Sequence, residues 1–314
     1  FTTPKEEYIL DIEFPRTGFI SNKKQFELTI EAIDASKWNF LSGNTAIQKS
    51  FINVDTKRPE LYTINNSYKI IKGGVATVVF KAKDENLKDL YIETNFGKKF
   101  YPTPFYKENY YISLLAWPSD EKKFKATIVA TDKAGNIAKN RVKFYLKGKN
   151  YRTSNIALKD NFLDGKILDL TEENSQQATT MGRLERFKYI NETLREKNEK
   201  VIEDTSLGVP TQMISDFKLK PFYPLKNAAA VASFGDHRFY SYNSKPLSEG
   251  YHLGLDLASI AKADIVSSND GTVVYAKYNG IYGKNIIISH GLGLYSLYGH
   301  TSSYLVDEAE NVKA

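Results

Sequence analysis

Ile128-Val-Ala-Thr-Asp132, running on through Lys133-Ala-Gly-Asn136 and into Arg141-Val-Lys-Phe-Tyr-Leu146, reads as strand, polar turn and alternating strand. The same unit stands earlier, as Ile30-Glu-Ala-Ile-Asp34, Gly43-Asn44 and Lys49-Ser-Phe-Ile-Asn-Val54. Asp34 and Asp132 lie 98 residues apart. One hairpin repeated at about the period of a small β domain points to immunoglobulin-like sandwiches built from short alternating strands. The turn Asp132-Lys-Ala-Gly-Asn136 resembles the F–G turn of bacterial immunoglobulin-like repeats. Proline at Asp55-Thr-Lys-Arg-Pro59 fixes φ and biases Arg58 away from helix, which marks a joint between units.

Working outward, the expected organisation is a partial or small immunoglobulin-like β domain over 1–57 and a sandwich over 58–150. A helical linker or regulatory segment follows over 151–210, and a β-rich domain over 211–314. Within 151–210, Leu184, Phe187, Ile190 and Leu194 recur every three or four residues and form one apolar stripe, with Thr179 or Thr180 available to cap it. A helical spacer is the expectation; an arm over a neighbouring groove is the alternative. Beyond Gln212, Gly271-Thr-Val-Val-Tyr-Ala276 and Asn285-Ile-Ile-Ile-Ser-His290 read as strands joined through Tyr278–Gly283, and Leu294–Tyr298 continues the sheet. The fold class is therefore mainly β, with a short helical segment.

Composition narrows the chemistry. The 314 residues, 41% hydrophobic and 25% charged, suit several globular domains; 21 Tyr and 18 Phe suit β packing. No cysteine is present, so a disulfide, a thiolate metal site and a cysteine nucleophile are excluded, and any metal must take His and carboxylate. A net charge of +6 favours acidic polymers, but no nucleic-acid module stands out, so no nucleic-acid partner is expected. No apolar run reaches the roughly 18 residues of a membrane span, and residue 1 onward does not read as an export signal.

Gly250-Tyr-His-Leu-Gly-Leu-Asp-Leu257 carries the most chemistry. Read as one strand, Leu253, Leu255 and Leu257 face a core, while His252, Gly254 and Asp256 share the other face. An imidazole and a carboxylate two strand-steps apart, with glycine between, suit one zinc ion; a solvated His–Asp turn is the plainer alternative. His300, at the end of Leu297-Tyr-Gly-His300, has the side chain for proton transfer near neutral pH.

The ordered motifs Phe234-Gly-Asp-His-Arg238, His252-Leu-Gly-Leu-Asp256, Asp270-Gly-Thr-Val-Val274, Tyr282-Gly283, Ile288-Ser-His-Gly291 and Leu297-Tyr-Gly-His300 together resemble the M23 (lysostaphin- and LytM-like) zinc metallopeptidase family. The resemblance covers residues 225 to 314. It implies an antiparallel β-sheet peptidase domain with His252 and Asp256 as zinc ligands, Zn2+ as cofactor and His300 as catalytic histidine. His290 matches a family position that is not a ligand and is expected to be a hydrogen-bonded strand-end residue; His237 is expected at the surface. Arg238 stands one residue from the family's FGxR arginine. The family completes its site with a later H-x-H segment, which these 314 residues lack, so weak metal binding and no useful turnover are expected of this chain alone. The function implied is zinc-dependent endopeptidase action on peptidoglycan cross-links or stem peptides, in the periplasm or cell envelope. A degenerate LytM-like regulator that activates another wall hydrolase is the alternative, and an adhesion or scaffold role follows if the repeats alone carry function.

Overall fold

The computed structural model describes residues 25–34, 36–37 and 43–314. Strands dominate it; apart from a short 3-10 turn at Gly280–Tyr282, the helices among the described residues lie in one segment, as expected of a mainly β chain. The first strands, β1 (Gln25–Ile33) and β2 (Thr45–Asn53), form an antiparallel hairpin with Ile33 opposite Thr45. The repeat seen in the sequence is a repeated set of hydrogen bonds. Asn44 donates its backbone N–H and its amide to the two carboxylate oxygens of Asp34, each at 2.8 Å. Asn136 does the same to Asp132, again at 2.8 Å each. Most of the expected 1–57 unit, including residues 1–24, 35 and 38–42, lies outside the described residues.

Two antiparallel four-stranded sheets face each other between Glu60 and Lys147. One orders β3 (Glu60–Asn66), β5 (Val75–Lys83), β9 (Tyr110–Ala116) and β8 (Thr103–Pro104). The other orders β11 (Ile137–Val142), β10 (Ala126–Asp132), β6 (Leu87–Thr94) and β7 (Lys99–Phe100). Alternation makes this sandwich: Ala76, Val78, Phe80 and Ala82 point inward from β5 and meet Ile92, Leu115, Ala126 and Ile128 in one core. The strand expected over 141–146 is broken. β11 ends at Val142, and the chain crosses to pair β12 (Tyr145–Lys147) in parallel with β4 (Lys69–Ile71). Phe144 turns into the core in between, which strict alternation along one ladder does not describe.

A tyrosine locks the sandwich to the C-terminal region. Tyr151 donates its hydroxyl to the Lys72 carbonyl at 2.7 Å, and its ring lies edge-on to Phe234 at 5.7 Å. A Cβ on Gly235 would come within 2.2 Å of that ring, and one on Gly73 within 1.8 Å of its hydroxyl; both glycines have positive φ, +84° and +77°. Gly235→Ala is therefore expected to cost about 2 kcal/mol or more, from the left-handed backbone and the clash together. Thermal melting checks the loss, and limited proteolysis near residue 150 reads the loosened joint.

The helical segment comprises α1 (Asp160–Asp164), α2 (Lys166–Asn174), α3 (Arg183–Lys188), a π-helical stretch Tyr189–Leu194, and α4 (Arg195–Thr205). The apolar stripe is buried as its spacing requires: Phe187, Ile190 and Leu194 are 3–5% exposed and pack with Leu158, Leu163 and Ile167. Two features differ from expectation. The cap is at Gly182, whose N–H is accepted by the Glu185 carboxylate, and not at Thr179 or Thr180. The segment is also no free spacer. Tyr240, Tyr242, Leu247 and Ile281 cover its stripe, and Lys98 of the sandwich pairs with Glu203 on α4.

The remaining strands build the C-terminal region. β13 (Thr153–Ala157) runs parallel to β15 (His237–Tyr242), which pairs antiparallel with β16 (Lys245–Tyr251). β14 (Ala229–Ala232) pairs with β17 (Asp256–Ala258). A four-stranded sheet orders β20 (Tyr295–Thr301), β19 (Lys284–Ser289), β18 (Gly271–Tyr278) and β21 (Asn311–Val312), with Val273, Ile287 and Ile288 buried. Each of the three strands expected here is present, slightly shifted. No helix among the described residues is long and apolar enough to cross a membrane.

Candidate metal and catalytic site

The segment expected as one strand is two. β16 stops at Tyr251, residues 252–255 bend, and β17 starts at Asp256. Leu253 and Leu255 consequently sit 49% and 57% exposed, correcting the expectation that they face a core. The bend brings the chemistry together instead of separating it. His252 Nε2 lies 3.0 Å from Asp256 Oδ1.

The other ring nitrogen fixes the tautomer. His252 Nδ1 lies 2.9 Å from the Ser233 carbonyl, which only accepts, so Nδ1 carries the proton and neutral Nε2 presents a lone pair. That lone pair meets a carboxylate oxygen, also an acceptor. Such a facing pair is satisfied by a shared cation, either a proton or a metal ion. Two ligand atoms on one tetrahedral zinc lie roughly 3.3 Å apart at ordinary Zn–N and Zn–O lengths, so the spacing found here is nearly preset for the ion. The backbone secures the imidazole as well: His252 N donates to the Asp236 carbonyl at 2.9 Å, and the His252 carbonyl accepts from Gly235 N at 2.7 Å. Among the described residues no third His, Asp or Glu ligand atom stands within 4.8 Å of both donors. The pair thus fits zinc as two of the three protein ligands a catalytic ion takes.

His300 comes to the site through a β-bulge. The β19–β20 register shifts between Lys284 and Ile286, leaving an extra residue on β20, and His300 takes φ of 57° there. Bulges re-aim side chains, and this one turns the imidazole beside Gly283, where a Cβ would stand 3.4 Å from Nδ1. Burial holds the His300 pKa below the usual histidine value, the Lys166 charge pushes it lower, and the Asp256 charge partly opposes both. His300 and Asp256 therefore share one electrostatic neighbourhood although no hydrogen bond joins them.

No sequence pattern points to Lys166, since its effect depends on α2 docking against the Gly280–Tyr282 turn. Removing its charge by Lys166→Met is expected to raise the His300 pKa, read directly by NMR titration of the imidazole. Because the folded pKa is depressed, the unfolded chain binds more protons between that value and about 6.5. Stability therefore rises with pH through that window and falls on acidification, and Lys166→Met should flatten the slope.

The Tyr282–Gly283 turn is held by α4. Asn198 accepts from Ile281 N at 2.9 Å, and Tyr282 donates to Glu199. Burial, reinforced by the Glu199 charge, pushes the Tyr282 phenol up to about 12. His290 is the hydrogen-bonded residue expected: Nδ1 meets the Asp270 carbonyl and Nε2 the Ser296 hydroxyl, each at 2.8 Å. His237 is not a free surface residue. Its ring is stacked between Phe239 and Tyr251, with centroids 4.2 Å from each, because it lies opposite Tyr251 in the β15–β16 ladder. Arg238 pairs with Asp236, which also accepts from Ser154, and so ties β13 to the strand beside the site.

The match to a known family falls on this same region. The model of peptidase family M23 matches residues 250–314. The murein hydrolase activator NlpD of Salmonella dublin is 44% identical over 69 residues, and that of Escherichia coli K12 is 42% identical over 69; each alignment covers 21% of this chain and 18% of the relative. The chain thus spans under a fifth of the length of the curated relatives it matches. A crystal structure described as a peptidase M23 of Pseudomonas aeruginosa aligns over 77% of this chain and 78% of its own, at 17% identity and a TM-score of 0.42. The stretch that bends His252 onto Asp256 and bulges His300 towards them is the part of the chain that is similar to peptidase family M23.

Proposed function

We propose that this protein is a zinc-dependent endopeptidase of the cell envelope that cuts peptide bonds in peptidoglycan, with residues 211–314 forming its peptidase domain. The observation that carries this reading is the His252–Asp256 pair, with the imidazole tautomer set by Ser233 so that Nε2 faces the carboxylate at 3.0 Å. His252 and Asp256 would hold the ion. Bound zinc supplies a Lewis acid for the scissile carbonyl and lowers the pKa of its water towards roughly 7. His300, whose pKa is lowered by desolvation and by Lys166, is suited to accept a proton there or to donate a hydrogen bond to a developing oxyanion. The M23 family and the murein-directed relatives support a cell-wall role and an envelope location.

The relatives' own name favours a second reading, a non-catalytic activator of a separate wall hydrolase. Retention of His252, Asp256 and His300 weighs against it. The experiment loads the protein with zinc and adds purified muropeptides. Release of shorter peptides supports the peptidase. Absence of cleavage, with stimulation of an added wall hydrolase, overturns it in favour of the activator.

A further inference from the structure

A second recessed surface lies where the sandwich meets the strand that leads into His252. The chain crossing from one to the other, Lys149 to Thr153, forms its floor, and the cavity measures about 340 Å3. Lys72 and Asp120 line the sandwich side, and His237 and Tyr251 line the other. Three cations, Lys72, Lys149 and Arg152, thus face a single carboxylate, Asp120. Among the described residues none of the three cations has an ion-pair partner within 4 Å; Lys149 lies over the Tyr151 ring at 5.0 Å, and Arg152 acts on Asp236 only through its field. Unpaired cations gathered in a polar concavity attract an anion.

The groove is also rigid. Tyr151 is wedged between Gly73 and Gly235, His237 is stacked on Tyr251, and His237 N donates to the Arg152 carbonyl at 2.9 Å. Rigid walls reduce the entropy lost when a flexible chain binds. Tyr251, which lines the groove, directly precedes His252 in the chain.

We propose that this groove is a subsite for the free carboxylates of a peptidoglycan stem peptide, seated on Lys72, Lys149 and Arg152; the inference rests on the peptidase reading above. An extended acidic peptide anchored here would be positioned by contacts remote from the reacting bond, which is how binding energy is turned into orientation.

The test is calorimetric titration of the full chain, metal-free, with a soluble N-acetylmuramyl tripeptide and with the same compound amidated at its carboxylates. The free acid is expected to bind, weakening as salt is raised, and the amide to bind roughly tenfold or more weakly, as loss of charge-assisted hydrogen bonds requires. Lys72→Gln and Arg152→Gln should each bring the free acid close to the amide, with unchanged melting temperature, while Val75→Ala, exposed and outside the groove lining, binds like the parent. Equal binding of acid and amide, unchanged binding in both groove variants, or displacement by equimolar inorganic phosphate would overturn the proposal. Muropeptide cleavage by the zinc-loaded protein is scored separately. If cleavage occurs and the groove variants bind normally, the subsite alone falls. If cleavage fails while binding stays carboxylate-dependent, the subsite stands and the peptidase reading falls.

Discussion

His252→Ala is expected to release bound zinc and to lower muropeptide cleavage by more than about 100-fold. Removing a residue that merely supports a metal ligand typically costs 10–100-fold, and a ligand itself must cost more. Here the loss is compounded, because His252 spans two contacts. Without it the Ser233 carbonyl loses its donor and Asp256, 51% exposed, loses the imidazole that faces it. Asp256→Asn should behave similarly, since an amide oxygen is a far weaker zinc donor than a carboxylate. His300→Ala separates the roles. It is expected to keep the zinc while lowering kcat by a factor on the order of 100 or more, as loss of general acid–base help does. Metal analysis beside steady-state rates decides the matter: zinc retained by His252→Ala at full stoichiometry would remove that residue from the ligand set.

The legible part of this fold is whatever depends on local pattern. The Asp34 and Asp132 turns can be read from their Gly-Asn pairs because a carboxylate that accepts both a backbone N–H and an amide needs only those residues nearby. The stripe from Leu184 to Leu194 is legible because burial follows helical spacing. The strands near 271, 285 and 294 follow from β-branched runs between glycines. Features that escape reading depend on contacts between distant residues. Alternation along one strand puts His252 and Asp256 on a shared face, but that strand does not exist; a bend after Tyr251 achieves the meeting and leaves Leu253 and Leu255 exposed. Ser233 contributes a backbone carbonyl, which no side-chain pattern reports. Lys166 reaches His300 only because α2 docks across more than a hundred residues of sequence. His237 reads as a surface residue because its stacking partner Tyr251 arrives from another strand.

The largest stability effect is expected at Phe80, fully buried at the centre of β5 and stacked on Tyr111 with ring centroids 5.8 Å apart. β5 is an inner strand, paired on one side with β3 and on the other with β9, so its neighbours cannot collapse into a void without breaking a ladder. Phe80→Ala removes most of an aromatic side chain and leaves a cavity among Val78, Leu115 and Ile128, at a cost of about 3–5 kcal/mol. That is a large share of the roughly 5–15 kcal/mol by which a domain is stable. Val75→Ala, on the same strand but 58% exposed, should change stability by less than about 0.5 kcal/mol. Denaturant unfolding of both variants measures the contrast, and a Phe80→Ala loss below about 1 kcal/mol would mean that the two sheets are not closely packed. The consequence reaches the candidate subsite, because the Lys72 carbonyl that anchors Tyr151 and the Gly73 backbone that confines it both belong to the sandwich. A sandwich loosened at Phe80 should therefore weaken carboxylate binding in the groove while leaving the His252–Asp256 pair, which rests on β14 and β17, able to take up metal.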